Sequence, residues 1–285
     1  MKALITGSKG QLGTALQRAA PADARVTAID MDVLDITDQA AVDAFVRDDA
    51  PDVIFNAAAY TAVDRAETDE APALAVNATA VGYLSQAATA IGARLVHVST
   101  DFVFEGLLGV PYTPDERPVP ISVYGRTKRE GEWQAGGNAL ILRTAWVYAP
   151  TGGNFVRTML RVMAERDEVR VVADQIGTPT YAPGLATAMW ELAAQDRNGI
   201  YHYTDSGVAS WYDFAVAIQE EALDLGLLTR VVPVVPIRTD DYPTPARRPH
   251  YSVLDKSKTI AALGYAPPHW RVNLRVMLSE IKANG

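Results

Sequence analysis

A tyrosine and a lysine stand four residues apart, as Tyr124 and Lys128, a spacing that puts both side chains on one face of a helix. Reducing a ketone requires a hydride at carbon and a proton at oxygen, and a free phenol, with a pKa of about 10, exchanges protons slowly at neutral pH. A lysine cation close by favours the phenolate, so we expect Lys128 to lower the pKa of Tyr124. Thr100 directly follows a predicted strand and offers a second hydroxyl to the carbonyl. These residues predict a ketone-reducing site with Tyr124, Lys128 and Thr100 as catalytic residues, against the alternative of a solvated helix face.

Three glycines, Gly7, Gly10 and Gly13, follow a short apolar run and open an amphipathic segment. Residues without a Cβ let a backbone turn sharply and approach a pyrophosphate closely, and the following helix N-terminus attracts the anion. An ordinary glycine turn is the alternative, but the position after a strand and before a helix favours dinucleotide binding. The spacing indicates the short-chain dehydrogenase branch. We expect Gly7, Gly10, Gln11, Leu12 and Gly13 to bind the cofactor.

An aspartate, Asp30, ends the second apolar run, 17 residues after the last glycine of the loop. In a dinucleotide-binding fold, an acid at this place accepts hydrogen bonds from the adenosine ribose hydroxyls, although a solvated strand-end acid is the alternative. The next residues, Met31 and Asp32, offer no cation to a 2′-phosphate, which favours NADH over NADPH. Asp35 and Ile36 precede the next helix, and we expect them to receive the adenine.

Apolar runs alternate with segments of helical period along the first half of the chain. Strands are predicted at 3–6, 25–30, 52–55, 94–99 and 140–143, and helices at 12–20, 40–46 and 71–90. This alternation predicts an α/β fold with a doubly wound, Rossmann-type parallel sheet. Beyond it, helices are predicted at 154–166, 185–194 and 211–223, a strand at 168–173 and a loop at 174–183. We therefore divide the chain into an NAD(P)-binding domain, 1–150, and a smaller part, 151–285, whose segments can cross back to the first.

The composition excludes several classes of protein. With no cysteine among 285 residues, the chain has no disulfide scaffold, no cysteine-ligated metal and no thiol nucleophile. The balance of 26 basic and 34 acidic residues, a net charge of −8, argues against nucleic acid as a partner. No run approaches the roughly 18 apolar residues of a membrane span, and the first glycine comes too early for a secretory signal. We expect a cytoplasmic protein that does not contact membranes.

Nine segments resemble, in order, the dTDP-4-dehydrorhamnose reductases, which are extended short-chain dehydrogenases. They are residues 7–13, 56–64, 99–104, 123–128, 143–148, 154–156, 174–180, 210–211 and 242–249, so the resemblance runs nearly from end to end. It implies reduction by NADH or NADPH of the C4 ketone of dTDP-4-dehydro-β-L-rhamnose, the last step of dTDP-L-rhamnose biosynthesis. It also implies that residues 151–285 mainly bind the sugar nucleotide.

The resemblance also implies roles for individual residues. Tyr124 is the proton donor, and both Tyr124 and Lys128 also border the cofactor. The sugar nucleotide contacts Thr100, Asp101 and Trp146, and the cofactor is bordered by Ala59, Tyr60 and Thr61. A cation for the diphosphate of the substrate is not assigned: the candidates are the arginines at 157, 161, 247 and 248, and solvated surface positions are the alternative for each.

One position departs from the family pattern. Members that dimerise around magnesium carry a glutamate where this chain has Ala15, and a methyl group offers no oxygen ligand. We therefore expect no magnesium site and a monomer. Two other functions stay open at the level of sequence. One is a reductase for a different nucleotide-linked deoxysugar, and the other is a non-catalytic, nucleotide-binding regulatory subunit, against which the complete set of Thr100, Tyr124 and Lys128 argues.

Overall fold

The computed structural model describes residues 1–284, and twelve strands and eleven α-helices are found in that part of the chain. The strands are β1 (Lys2–Thr6), β2 (Arg25–Ala28), β3 (Val53–Asn56), β4 (Arg94–Thr100), β5 (Leu140–Thr144), β6 (Val147–Tyr148), β7 (Val169–Val172), β8 (Ile176–Gly177), β9 (Thr180–Tyr181), β10 (Gly199–His202), β11 (Ala209–Ser210) and β12 (Val234–Ile237). The helices are α1 (Gln11–Arg18), α2 (Gln39–Asp49), α3 (Val63–Ala66), α4 (Glu70–Leu74), α5 (Ala80–Ala90), α6 (Val123–Ala135), α7 (Phe155–Glu165), α8 (Ala182–Ala194), α9 (Trp211–Asp224), α10 (Ser257–Leu263) and α11 (Trp270–Asn284).

Six parallel strands form the central sheet, in the order β10-β5-β4-β3-β1-β2. Helices α1 and α8 cover one face and α2, α5 and α6 the other, so that β3 and β5 are buried along their whole length. Strands buried on both faces are continuously apolar, which is why the sequence predicted them. The prediction of a doubly wound parallel sheet is confirmed. The chain order reverses between β1 and β3, and in such folds ligands bind beside the carboxyl ends of the strands at this point.

A second core lies among the helices after the sheet. Helices α7, α9 and α11 pack around Val156, Phe214 and Leu274, and the parallel pair β7 and β12 joins them. The amphipathic pattern of α7 follows from Val156, Met159, Val162 and Met163, which are buried along one side of that helix. This core stands beside the carboxyl edge of the sheet.

The chain passes between the two cores more than once. After β9, helix α8 packs on α1, where the indole N–H of Trp190 donates to the carbonyl oxygen of Leu16 at 2.9 Å. Strand β10 then joins the edge of the sheet beside β5. Residues 182–202 therefore lie with the first 150 residues, and a boundary at residue 150 stays a prediction.

Some elements differ from those predicted. The helix predicted at 71–90 is divided into α4 and α5 by a π-helical turn, Ala75–Thr79. The loop predicted at 174–183 contains the short strands β8 and β9, which pair with β11 and β6. Two-residue strands carry too short an apolar pattern to be recognised. Strands β10 and β12 and helices α10 and α11 were not predicted. Within residues 1–284, no helix has the length and apolar character needed to cross a lipid bilayer.

Candidate active site

A cavity of about 950 Å³ opens at the carboxyl edge of the sheet, lined by the last residues of β1, β3, β4 and β5, which are Thr6, Asn56, Thr100 and Thr144. All but one of the residues predicted to bind cofactor or substrate line it: Gly7, Gly10, Gln11, Leu12, Asp30, Asp35, Ile36, Ala59, Tyr60, Thr61, Thr100, Asp101, Tyr124, Lys128 and Trp146. The exception is Gly13. The fold thus brings together positions that are more than a hundred residues apart, and their individual roles stay predictions.

The glycine loop is shaped by close backbone contacts. Gly7 has a φ of +64°, and a Cβ there would lie 2.6 Å from the backbone nitrogen of Ala58. A Cβ on Gly13 would lie 2.1 Å from the carbonyl oxygen of Gly7, so this glycine lets α1 pack against the loop. Gly10 precedes α1, and no side chain caps the first N–H groups of that helix. These donors and the positive end of the helix dipole face the cavity edge and fit a diphosphate.

At the far end of the cavity, Asp30 accepts hydrogen bonds from the backbone N–H groups of Lys9 and Met31, both at 2.9 Å. The ammonium of Lys9 pairs with the carboxylate of Asp32 at 2.8 Å. The hydrogen bond from Lys9 lowers the pKa of Asp32, and the partnership raises the pKa of Lys9. The expectation that no cation stands beside Asp30 is therefore wrong. It considered only residues after the second strand, whereas the cation comes from the glycine loop.

Asp35 and Ile36 form part of the same wall. The carboxylate of Asp35 accepts from the backbone N–H of Thr37 at 2.9 Å and from its hydroxyl at 2.7 Å. These hydrogen bonds hold the pKa of Asp35 below its usual range. Ile36 is largely buried beside Asp35, so the two residues offer the cavity an apolar contact and a fixed carboxylate.

Helix α6 carries both Tyr124 and Lys128. Its N-terminus is capped by the hydroxyl of Ser122, which accepts from the N–H of Gly125 at 3.1 Å. Gly125 permits a close approach to the turn after β4, because a Cβ there would lie 2.1 Å from the carbonyl oxygen of Phe102. The helix is thereby placed directly against the end of β4, where Thr100 lies.

The pKa of Tyr124 differs from the predicted one. Removal of the phenol from water raises its pKa to about 12, a contact with Thr100 lowers it and the charge of Asp101 raises it. Burial lowers the pKa of Lys128 to about 8, partly offset by Glu132, and the ammonium donates to the carbonyl oxygen of Val98 at 2.6 Å. The predicted lowering of the phenol pKa by Lys128 is not met in this structure, because burial is the largest influence on that pKa and Lys128 is not among the groups that shift it.

Thr100 is the last residue of β4, and Asp101 begins the short turn that follows it. The hydroxyl of Thr100 accepts from the N–H of Phe102 at 3.2 Å and donates to the carboxylate of Asp101 at 3.0 Å. Asp101 is buried, which raises its pKa to about 6, although hydrogen bonds from Ser252 and Thr100 lower it. A buried carboxyl group with a pKa this close to neutrality is typical of a functional site.

The segment Ala59–Thr61 is held by an asparagine that the sequence analysis missed. The side chain of Asn77 accepts from the N–H of Tyr60 at 2.9 Å and donates to its carbonyl oxygen at 3.1 Å. It also donates to the hydroxyl of Thr127 on α6 at 3.1 Å. Asn77 lies in the π-helical turn, and an asparagine within an otherwise apolar helical pattern was the available signal.

Trp146 also lines the cavity and has an unusual backbone conformation. Its φ is +47°, whereas residues with a Cβ rarely adopt positive values. Its ring is stacked on that of Trp211, with centroids 3.6 Å apart and planes 12° from parallel. Trp211 also lines the cavity. The sequence analysis named residues 210–211 only as part of the family resemblance.

The whole chain matches a known family. Residues 1–283 match the family described as the RmlD substrate binding domain. A dTDP-4-dehydrorhamnose reductase of Aggregatibacter actinomycetemcomitans is 42% identical over 283 residues, covering 95% of this chain and 96% of the relative. The chain belongs to the dTDP-4-dehydrorhamnose reductase family. The resemblance noted in the sequence is thus confirmed.

Solved structures of the reductase family agree. One from Clostridium acetobutylicum has a TM-score of 0.93 at 38% identity, and the alignment covers 99% of this chain and 100% of that one. Another, from Bacillus anthracis in complex with NADP, has a TM-score of 0.92 at 35% identity, covering 98% and 99%. The glycine loop described above is suited to a nicotinamide cofactor of the kind bound in that relative.

Of the four arginines considered for the substrate, only Arg248 lines the cavity. Its guanidinium forms two hydrogen bonds with the carboxylate of Asp64, at 3.0 and 2.8 Å, and lowers the pKa of that carboxyl group. Arg157 donates to the carbonyl oxygen of Pro150, and Arg161 pairs with Glu165 on the same helix. The signal for Arg248 was its place in the proline-rich segment shared with this reductase family.

Ala15, the position that bears on magnesium, is buried between α1 and α8. In residues 1–284, no group of three or more His, Asp or Glu side chains has the geometry to hold a metal ion. The magnesium and monomer expectations stay predictions.

Proposed function

We propose that this family member reduces the C4 ketone of dTDP-4-dehydro-β-L-rhamnose to dTDP-L-rhamnose with NADH or NADPH, the last step of dTDP-L-rhamnose biosynthesis. The observation that carries the proposal is one continuous cavity with a dinucleotide-type glycine loop on one wall and Thr100, Tyr124 and Lys128 on another. Relatives of more than 40% identity with the same activity in their names support it.

The residues suit a reduction because the phenol starts protonated. The bound cofactor supplies the hydride to the C4 carbon. With a pKa raised to about 12, Tyr124 holds a proton at neutral pH and donates it to the carbonyl oxygen. Thr100 turns its hydroxyl hydrogen from the carboxylate of Asp101, where it lies without substrate, to the same oxygen. Lys128, with a pKa of about 8, is mostly cationic at pH 7, and its charge favours the phenolate that remains.

The contacts at the adenosine end support use of both cofactors. The carboxylate of Asp30 accepts hydrogen bonds from the ribose hydroxyls of NADH. For NADPH, the exposed ammonium of Lys9 exchanges its contact with Asp32 for one with the 2′-phosphate. This exchange costs little because an exposed ion pair is weakly stabilising.

The second core supplies the substrate wall. Trp146, Trp211 and Arg248 come from segments after β5 and line the same cavity as the catalytic residues. We assign the sugar to the side of Thr100, Asp101 and Trp146. Arg248 is the cation that the diphosphate of the substrate requires, since a guanidinium binds phosphate in two-point fashion. A monomer without magnesium and a cytoplasmic location belong to the same proposal.

The test is reduction by the purified protein alone. The protein is mixed with dTDP-4-dehydrorhamnose made in situ and with NADH or NADPH separately, and oxidation of the cofactor is followed together with the sugar formed. We expect dTDP-L-rhamnose with either cofactor. Faster turnover of another nucleotide-linked deoxysugar would refute the proposed substrate assignment. No oxidation of the cofactor at all would refute the proposed enzymatic activity and favour a regulatory subunit.

A further inference from the structure

Trp146 occupies a conformation that its own backbone disfavours. Its φ of +47° is one of three positive values among the non-glycine residues of 1–284. The other two residues, Ala50 and Asp196, lie at a helix end and in a loop beside one, whereas Trp146 lines the cavity. Strained backbone persists only where the surrounding structure holds it, and it concentrates at functional sites. The contacts that hold Trp146 therefore indicate what its position is for.

Both faces of the indole are covered by protein. One face lies on the ring of Trp211, at a centroid distance of 3.6 Å. The other packs against the backbone of Gly177, where a Cβ would lie 2.8 Å from a ring carbon of Trp146. A ring enclosed in this way cannot stack on a sugar or a base. It presents only its edge to the cavity.

One small ribbon positions both neighbours of the ring. Strand β8 contains Gly177, which pairs with Ala209 of the antiparallel strand β11. Strand β11 leads at once into α9, whose first residue is Trp211. The start of α9 is fixed by reciprocal hydrogen bonds between Ser210 and Asp213, at 2.7 to 3.0 Å. The separation of Gly177 and Trp211 is thus set by a strand pair and a capped helix, which are rigid elements.

The edge of the indole carries a hydrogen-bond donor. In residues 1–284, no protein acceptor is found for the N–H of Trp146, and this atom is not among the buried polar atoms that lack a partner. By contrast, the indole N–H of Trp190 donates within the core. An indole N–H in a ligand cavity is suited to an oxygen of the ligand.

We propose that Gly177 and Trp211 are positioning residues that hold Trp146 edge-on, so that its N–H donates to an oxygen of the sugar rather than its face stacking on the substrate. The inference rests on the proposed role of Trp146 in substrate binding. It assigns specificity for the sugar to a three-residue arrangement, in which Trp146 donates the hydrogen bond and Gly177 and Trp211 set the orientation of its ring.

The experiment is a double-mutant cycle of Gly177→Ala and Trp146→Phe. The measurements are KM and kcat for the sugar nucleotide, and calorimetric affinities for dTDP-rhamnose, dTDP and the cofactor. We expect each single variant to raise KM and to lower the affinity for dTDP-rhamnose about tenfold or more. The affinities for dTDP and the cofactor should change little. If Gly177 acts through the ring, adding Gly177→Ala to Trp146→Phe weakens dTDP-rhamnose binding by less than a further threefold, because the smaller ring leaves room for the methyl group.

Additional variants keep the test decisive if Gly177→Ala folds poorly. Trp211→Leu removes the stack and should lower the affinity for dTDP-rhamnose as much as Gly177→Ala does. Trp211→Phe keeps an aromatic ring and should largely retain the wild-type affinity. Gly137→Ala is the matched control, since a Cβ there meets nothing within 4 Å. Independent, multiplicative effects of Gly177→Ala and Trp146→Phe, or equal losses for dTDP and dTDP-rhamnose, would overturn the positioning role.

The same measurements separate this inference from the proposed function. A wild type that binds dTDP-rhamnose but reduces nothing refutes the reductase proposal, and the binding cycle then still decides the positioning role. A wild type that reduces the substrate while both variants keep its affinity refutes the positioning role alone. A wild type that does not bind dTDP-rhamnose refutes both.

Discussion

Replacing the buried carboxyl group of Asp205 by an amide should change how stability depends on pH. Asp205 is fully buried between the two cores. One carboxylate oxygen accepts from the N–H of Tyr181 at 3.2 Å, at the start of α8, and the other has no hydrogen-bond partner in residues 1–284. Burial raises its pKa to about 7, although Asn273, the N–H of Tyr181 and the charge of Lys256 act in the opposite direction.

The size of the effect follows from the difference between folded and unfolded pKa values. In the unfolded chain the group titrates near 3.9, so the folded protein keeps a proton that the unfolded chain releases between pH ~4 and ~7. The stability of the wild type therefore falls as pH rises through this window and levels off above it. At about 1.4 kcal/mol per pH unit, the ionised group costs the folded protein about 4 kcal/mol at pH 8, of which about 3 kcal/mol arises between pH 5 and pH 8.

The assay is urea unfolding of the wild type and of Asp205→Asn at pH 5, 6, 7 and 8. The amide can still accept from Tyr181 but carries no charge. We expect the free energy of unfolding of the variant, minus that of the wild type, to rise by about 3 kcal/mol across this range and to flatten above pH 7. Asp48→Asn, at an exposed position, is the control and should give a flat difference. If the Asp205→Asn difference is also flat, Asp205 is not the buried neutral acid described above.

Three further predictions concern the reaction. Tyr124→Phe should lower kcat by about 100-fold or more and leave cofactor affinity nearly unchanged, as measured by turnover and titration; near-normal turnover would remove Tyr124 as the proton donor. Lys9→Ala should shift the ratio of kcat/KM values towards NADH, while Asp30→Asn should shift it towards NADPH, and the Lys9→Ala shift should shrink at high salt. If both variants keep the wild-type ratio of kcat/KM values, neither side chain lies at the ribose. Excess EDTA should change neither activity nor elution volume, because Ala15 offers no metal ligand; a smaller species after chelation would contradict this.

The parts of the fold that the sequence predicted are those with strong local patterns. Strands β1, β3 and β5 are buried over almost their whole length and carry continuous apolar runs, and the run of β4 is interrupted only by His97. Strand β10 is different, because only its last two residues are buried and its sequence contains a glycine and a histidine. Its place beside β5 is decided by tertiary packing, which a local pattern does not contain.

The same distinction applies to the site. The glycine loop and the Tyr124–Lys128 pair are local in sequence and were predicted, as was Trp146 through the resemblance. Lys9 was missed as a cation because its partner Asp32 comes from another loop, and the raised pKa of Tyr124 was missed because desolvation depends on the surrounding fold. Distances and burial, rather than residue types, decided both points.

The place of β10 at the edge of the sheet also bears on synthesis of the protein. Strand β5 is complete at Thr144, but its outer edge is paired only by residues 199–202. During translation, the growing sheet must wait for more than fifty further residues while the backbone N–H and C=O groups along one edge of β5 are unpaired, and such an edge is a template for pairing with another chain. A chain ended at residue 150 should therefore aggregate, whereas ribosome-bound chains should gain protease resistance only after His202 has left the exit tunnel. Pairing of β10 with β5 is thus a step at which folding of this protein depends on the rate of synthesis.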